Sequence, residues 1–187
     1  LRINRSGGGA LSPLWTQILA QSLTYCASTG GAFDPVLGSL VDLWHVQKVP
    51  SSQDLIAALE KSGHDKLSVS SDLSTCRLSS GASLNLGGIV KGAASDAIYD
   101  KLVEHGVQSA VLSLGGNILA FGSNPDGTPW SIGIRDPDGS ASDYLGTVSI
   151  SDQFVVASGD YERYFEENGV RYHHILDPKT GYPVQND

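Results

Sequence analysis

The chain has no methionine among its 187 residues and begins at Leu1. A reading frame needs a start, so the sequence reads as a processed or trimmed piece, with any signal or lipidation motif upstream of it. Cysteine is nearly as scarce. Cys26 and Cys76 fit neither a C-x-x-C nor a zinc-finger spacing. Two buried free thiols are the default for such a pair, a disulfide stays open, and the compartment is not settled by them. Basic residues are in deficit, 12 Lys and Arg against 20 Asp and Glu, for a formal net charge of −8. That balance argues against a general nucleic-acid binder, because the phosphate backbone rewards clustered cations. Long apolar runs are absent as well, and no segment could span a bilayer. What remains, 40% hydrophobic and 17% charged, is ordinary soluble composition in a length suited to one domain with a sizeable core.

Glycine is what the chain has in plenty, and its pairs organise the middle. Leu84 to Gly122 reads as strand, glycine turn, helix, strand, glycine turn. Leu84–Leu86 is an apolar run too short for a helix, and Gly87-Gly88 lets the backbone approach a ligand closely. A helix then starts near Val90, with Ala94, Ala97, Ile98 and Leu102 on one face, and ends at His105-Gly106. Its N-terminus carries Lys91 beside free N–H groups, a combination that suits an anion. Ser109–Leu114 leads to the second pair, Gly115-Gly116, and then Asn117. The two turns read as a site for a phosphate-bearing ligand; the alternative is a pair of turns that bind nothing. Neither common phosphate loop fits, since Lys91 is not followed by Ser or Thr and no Gly-x-Gly-x-x-Gly occurs.

Before this unit, Leu1–Gly9 reads as a frayed polar end or a severed connection. Ser12-Pro13 opens a helix, with Trp15, Ile18, Leu19, Ser22, Tyr25 and Cys26 on its packed face. Thr29-Gly30-Gly31 ends it and leads into Ala32-Phe33-Asp34-Pro35. Asp34 could accept hydrogen bonds from a ligand or hold its own turn. Gly38–Trp44 is mostly apolar and reads as buried. Ser51 opens a second helix in capping-box style, and His64 after it reads as solvated. Leu67–Ser70 and Thr75–Leu78 pair as a hairpin. Past the central unit, Trp130–Arg135, Thr147–Ile150 and Phe154–Ala157 are short strands between turns.

The C-terminal stretch is richest in functional groups. Asn168-Gly169 is a hairpin signal, pairing Tyr161–Glu166 with Val170–Leu176. On the return strand His173 and His174 point to opposite faces, because side chains alternate with period two. A serine-hydrolase triad is disfavoured, since Ser158 lacks a Gly-x-Ser-x-Gly elbow. Zinc on the two histidines is disfavoured too, because neighbours on a strand cannot normally share one ion. A general base acting on a hydroxyl nucleophile suits the residues better.

Five blocks then stand in a telling order: Ala32-Phe33-Asp34-Pro35, Leu86-Gly87-Gly88-Ile89-Val90-Lys91-Gly92, Leu114-Gly115-Gly116-Asn117, Ser158-Gly159-Asp160-Tyr161-Glu162-Arg163, and His173-His174 through Tyr182-Pro183. In this order they resemble the FAD:protein FMN transferases, the ApbE family, over nearly the whole chain. The resemblance implies an α+β fold, a single domain over residues 1–187 with a mixed, largely antiparallel sheet and packed helices. It implies Mg²⁺-dependent transfer of the FMN half of FAD to a Ser or Thr hydroxyl of an acceptor protein, with release of AMP. Phosphoryl transfer is mostly positioning and charge neutralisation, which N–H groups, a lysine and a metal supply. By resemblance, Ala32, Phe33, Asp34, Asn85, Lys91 and Ile175 contact FAD, the Gly88 carbonyl ligates Mg²⁺, His174 is the base, and Asp160 is a further site candidate. An extracytoplasmic address, periplasmic or as a cell-envelope lipoprotein held by an N-terminal lipid anchor, is implied in the same way. No nucleic-acid partner is implied.

The departures from the family pattern are Asn85 and Asn117, where the family usually has Asp. The family's N-terminal segment, and the helix whose Asp and Thr complete the metal site, are expected outside residues 1–187. Two other activities stay open beside transfer: hydrolysis of FAD to FMN and AMP, and flavin binding without catalysis.

Overall fold

The structure, a computed structural model, describes residues 2–140 and 142–185. Its elements in chain order are α1 (Arg2–Ser6), β1 (Gly8–Ala10), α2 (Pro13–Ser28), α3 (Gly38–Trp44), α4 (Ser52–Leu59), β2 (Leu67–Val69), β3 (Thr75–Leu78) and α5 (Gly87–Glu104). There follow β4 (Ser109–Leu114), β5 (Asn117–Gly122), β6 (Trp130–Arg135), β7 (Tyr144–Ile150), β8 (Gln153–Val156), β9 (Tyr164–Glu167) and β10 (Val170–His173). The ladders between them are antiparallel, so the fold is α+β as the resemblance implies, but among the described residues the strands form separate antiparallel sheets and not one mixed sheet. None of the described helices is long and apolar enough to cross a membrane. The chain separates into two compact units: residues up to Ile89 with those from Asp160 onward, and Val90–Gly159.

In the first unit one sheet runs β1-β3-β2 and another pairs β9 with β10, and residues 2–10 are ordered into elements where a frayed end was one expectation. Arg2–Ser6 is helical and Gly8–Ala10 pairs with β3. Glycine makes this pairing fit, since a Cβ on Gly8, at φ +149, would lie 2.5 Å from the Cys76 carbonyl oxygen. Leu19, Val36, Cys76, Leu78, Ala82 and Leu84 form one core cluster. A second gathers Leu40, Trp44, Leu55, Ala58 and Leu176, with Phe165 and Tyr172 packed on it. Gly38–Trp44 is therefore a helix that delivers Leu40 and Trp44 to a core. Cys26 and Cys76 are both buried and free.

Leu84–Leu86 is not a strand. Its backbone is satisfied by other means: the Asn4 side chain accepts from the Leu84 N–H and donates to the Leu84 carbonyl, both at 2.9 Å, and the Asn85 N–H donates to Pro35 O at 2.8 Å. One side-chain amide does the work of a neighbouring strand. The helix after it begins at Gly87, earlier than the expected start near Val90. Asn85 explains the shift, because its Oδ1 accepts from the Gly87 N–H at 2.9 Å in an Asx turn that launches the helix. At the other end, Val107 N–H donates to Leu102 O and Gly106 N–H to Val103 O, a Schellman pair with Gly106 at φ +66.

In the second unit β4-β5-β8 form one sheet and β6-β7 pair separately. The Gly115–Gly116 pair is the two-residue loop between β4 and β5, with Leu114 opposite Asn117. Both glycines take positive φ, +57 and +90, as a type I′ hairpin turn demands. Gly122 closes the same hairpin at φ +61, where a Cβ would sit 2.1 Å from Gln108 O. That neighbour is backbone and cannot swing aside. Gly122→Ala is expected to cost about 3 kcal/mol, read as a lowered urea midpoint with an unchanged m-value.

Candidate active site

Asp34 follows the Gly30-Gly31 turn that ends α2, and its carboxylate is buried. Oδ1 accepts from the Val36 N–H at 2.8 Å, and Oδ2 from the His64 N–H at 2.7 Å. Oδ2 also lies 3.0 Å from His64 Nδ1 and 3.8 Å from Cys26 Sγ. The carboxylate thus holds its own turn, and the residues just before it are set by that turn. Thr29 Oγ1 accepts from the Phe33 N–H at 3.0 Å, and the Ala32 N–H donates to Thr29 O. His64 is not merely solvated as its polar neighbours suggest. Nothing local in the sequence signals its contact with Asp34, thirty positions away.

Phe33 and Gly88 are brought together. A Cβ added at Gly88 would meet the Phe33 ring at 3.1 Å, so glycine there lets the ring lie against the start of α5. Ala32, Gly87 and Gly88 are exposed. The Phe33 ring thus lies beside exposed backbone at the start of α5. Fit to Mg²⁺ is poor. The Gly88 carbonyl lies inside a regular helix, where it faces the N–H of the fourth residue on. The one group of three His, Cys, Asp or Glu ligand atoms converging among the described residues includes a thiol, and Mg²⁺ wants oxygen ligands.

The histidine pair divides at the end of β10, which stops at His173 and leaves His174 in the bend that follows, short of the expected strand to Leu176. His173 is buried, and its Nδ1 accepts from the Ile175 N–H at 3.2 Å. Nε2 must then carry the proton, which it donates to Val184 O at 2.6 Å. Ile175 is held on both sides, since its carbonyl accepts from Val184 N–H. His174 is exposed, with its N–H donating to Arg163 O at 3.1 Å and Nδ1 lying 3.3 Å from the same oxygen. A carbonyl only accepts, so Nδ1 is the protonated nitrogen and Nε2 the basic one. The hairpin beneath them turns at Asn168-Gly169, at φ +53 and +77. Asp160 is exposed in the turn before β9.

Lys91 belongs to the Val90–Gly159 unit. Because α5 begins at Gly87, Lys91 lies a full turn inside the helix, and not among the first N–H groups as the expected start implied. Its ammonium donates to Gly115 O at 2.8 Å, which joins the helix to the second glycine turn. Asn117 is buried beside that turn.

The model of the ApbE family matches residues 1–187, the whole chain. The chain belongs to the ApbE family. Among relatives, it is 38% identical over 188 residues to a FAD:protein FMN transferase of Treponema pallidum, covering 91% of this chain and 52% of that protein. A second FAD:protein FMN transferase, from Klebsiella pneumoniae, is 39% identical over 163 residues, or 83% of this chain and 49% of that one. The crystal structure of the ApbE protein of Thermotoga maritima superposes with a TM-score of 0.91 at 32% identity, covering 98% of this chain and 62% of that one. The flavin transferase ApbE of Vibrio cholerae gives 0.84 at 30% identity, over 99% and 61%. This ApbE chain thus spans about half the length of the curated relatives it matches.

Proposed function

We propose that the protein moves the FMN half of FAD onto a Ser or Thr hydroxyl of an acceptor protein and releases AMP. The observation that carries this reading is the match of an ApbE family model to the full chain, joined by relatives named FAD:protein FMN transferase. In the reaction the acceptor oxygen bonds to the phosphorus of the FMN half, the bridge within the diphosphate breaks, and the leaving oxygen departs with AMP. His174 Nε2 takes the hydroxyl proton, with Nδ1 held by Arg163 O so that the basic nitrogen keeps one orientation. Ala32, Phe33, Gly88 and Asn85 bind flavin nucleotide along the open start of α5, Asp34 by fixing the turn that carries Phe33. His173 clamps Ile175 and thereby sets the direction of the strand end. Lys91, within its own unit, presents a cation that a phosphate would attract. Mg²⁺ would supply neutralisation of charge on the diphosphate, and the expected ligand among these residues, the Gly88 carbonyl, is placed in the helical ladder of α5, which fits it poorly. An extracytoplasmic, envelope-anchored location is proposed on family resemblance alone.

Incubating the protein with FAD, Mg²⁺ and a candidate acceptor tests the reading. Flavin fluorescence that stays on the denatured acceptor is the expected result. Free FMN with no labelled acceptor assigns hydrolysis instead, and tight FAD binding with no AMP assigns a binding protein.

A further inference from the structure

Cys26, Asp34 and His64 bring a thiol, a carboxylate and an imidazole to one point, with their ligand atoms all within 4.8 Å of one another. The carboxylate stands at the centre: Oδ2 is 3.0 Å from His64 Nδ1 and 3.8 Å from Cys26 Sγ. A nucleophilic cysteine needs the reverse order, with the imidazole between thiol and carboxylate. The thiol is also buried and pushed above its ordinary value, first by desolvation and then by the Asp34 charge, which makes it unreactive. Nucleophilic chemistry is therefore out of place here.

Metal chemistry fits better. A tetrahedral Zn²⁺ with bonds of about 2.0 Å to N and O and 2.3 Å to S sets its ligand atoms roughly 3.3 to 3.6 Å apart. The two distances from Oδ2 bracket that spacing, and the third pair, Cys26 Sγ and His64 Nδ1, lies within 4.8 Å and would close on binding, the exposed imidazole being the group with room to move. The supporting groups are already in place. Two backbone N–H groups, from Val36 and His64, hold the carboxylate at 2.8 and 2.7 Å, as ligating carboxylates are commonly held. The Gly63 N–H ties the His64 segment to Val36 O at 3.0 Å, and the Gly31 N–H ties the turn back to Cys26 O at 2.8 Å. His64 is 58% exposed in its side chain, so an ion can reach the site and keep water as a fourth ligand.

We propose that Cys26 Sγ, Asp34 Oδ2 and His64 Nδ1 form a binding site for a borderline-soft divalent ion of the Zn²⁺ type, separate from any Mg²⁺ that serves flavin transfer. On binding, the Cys26 thiol loses its proton to solvent and the thiolate bonds to the ion, while the hydrogen bond between His64 and Asp34 is replaced by two metal bonds. Thiolate and imidazole select Zn²⁺ or Co²⁺ over Mg²⁺ and Ca²⁺. The ion staples the last turn of α2, the turn carrying Phe33 and the residue after Gly63, three segments otherwise joined by hydrogen bonds.

Titration of Co²⁺ into the reduced, metal-free protein tests this without reference to flavin. The expected result is a thiolate-to-cobalt charge-transfer band that saturates at one equivalent, is displaced by Zn²⁺ and ignores excess Mg²⁺. Cys26→Ser should abolish the band and Cys76→Ser should leave it. Because Cys26 is buried and its variant could fail to fold, His64→Ala at the exposed ligand gives an independent arm. It should weaken Zn²⁺ binding by more than the roughly 10–100-fold that loss of a supporting group costs. No band in the unaltered protein, or a band and affinity untouched by His64→Ala, overturns the site. Flavin transfer can succeed or fail in either case.

Discussion

His174→Ala should slow FMN transfer by about 10²–10⁴-fold, the contribution of a positioned general base, while FAD affinity changes little. The expectation rests on a tautomer. His174 Nδ1 faces the Arg163 carbonyl, so the proton resides there and Nε2 is the nitrogen that can accept one. The side chain is exposed, so removing it opens no cavity in the core. Stability should therefore hold within about 0.5 kcal/mol, as for other surface changes. Single-turnover transfer beside an FAD titration separates the two quantities. A variant that transfers at the normal rate removes His174 from the reaction. His173→Ala makes the opposite prediction, since His173 is buried and bonded at both ring nitrogens: it should lower stability and activity together.

Trp44→Ala should destabilise the first unit by about 3–5 kcal/mol, the range for removing a large aromatic from a core. The indole is 6% exposed. It stacks with Tyr172 at 5.6 Å between ring centroids, tilts over Phe165 at 6.2 Å, and meets Tyr182 edge-on at 5.4 Å. Its Nε1–H donates to Gly181 O at 2.7 Å, which pins the turn after the histidine strand. A substitution to Phe keeps part of the ring contact but strands that carbonyl, at a cost of about 1–3 kcal/mol. Chemical denaturation followed by far-ultraviolet dichroism reads both variants, and Trp44→Phe should fall between wild type and Trp44→Ala. Equal losses for the two would mean that the hydrogen bond matters more than the packing.

Local chemistry made much of this fold legible. Ser12-Pro13 and Ser51 begin helices where capping rules place them, with Ser51 Oγ accepting from the Asp54 N–H. Asn168-Gly169 closes a hairpin with Glu167 opposite Val170. His173 is buried and His174 exposed as expected, but the strand stops at His173, short of the expected Leu176, so the split falls at a strand end and is not alternation within a strand. What stayed hidden depends on partners distant in sequence. Leu84–Leu86 has a strand's composition, but Asn4, eighty positions earlier, satisfies its backbone. The Gly8–Ala10 strand exists only because β3 gives it a ladder, and glycine-rich segments carry no apolar pattern to announce one. Asp34 illustrates the same limit at the site, since neither Cys26 nor His64 marks itself as its neighbour. Gly115-Gly116 shows the converse: a motif that suits a ligand is also what a tight hairpin requires.

The most direct test of the account is the ratio of AMP released to flavin covalently bound, measured together in one reaction with FAD and a hydroxyl-bearing acceptor protein. A transferase gives one AMP for each flavin found on the acceptor by intact mass. AMP in excess over bound flavin, or bound flavin without AMP, would contradict it.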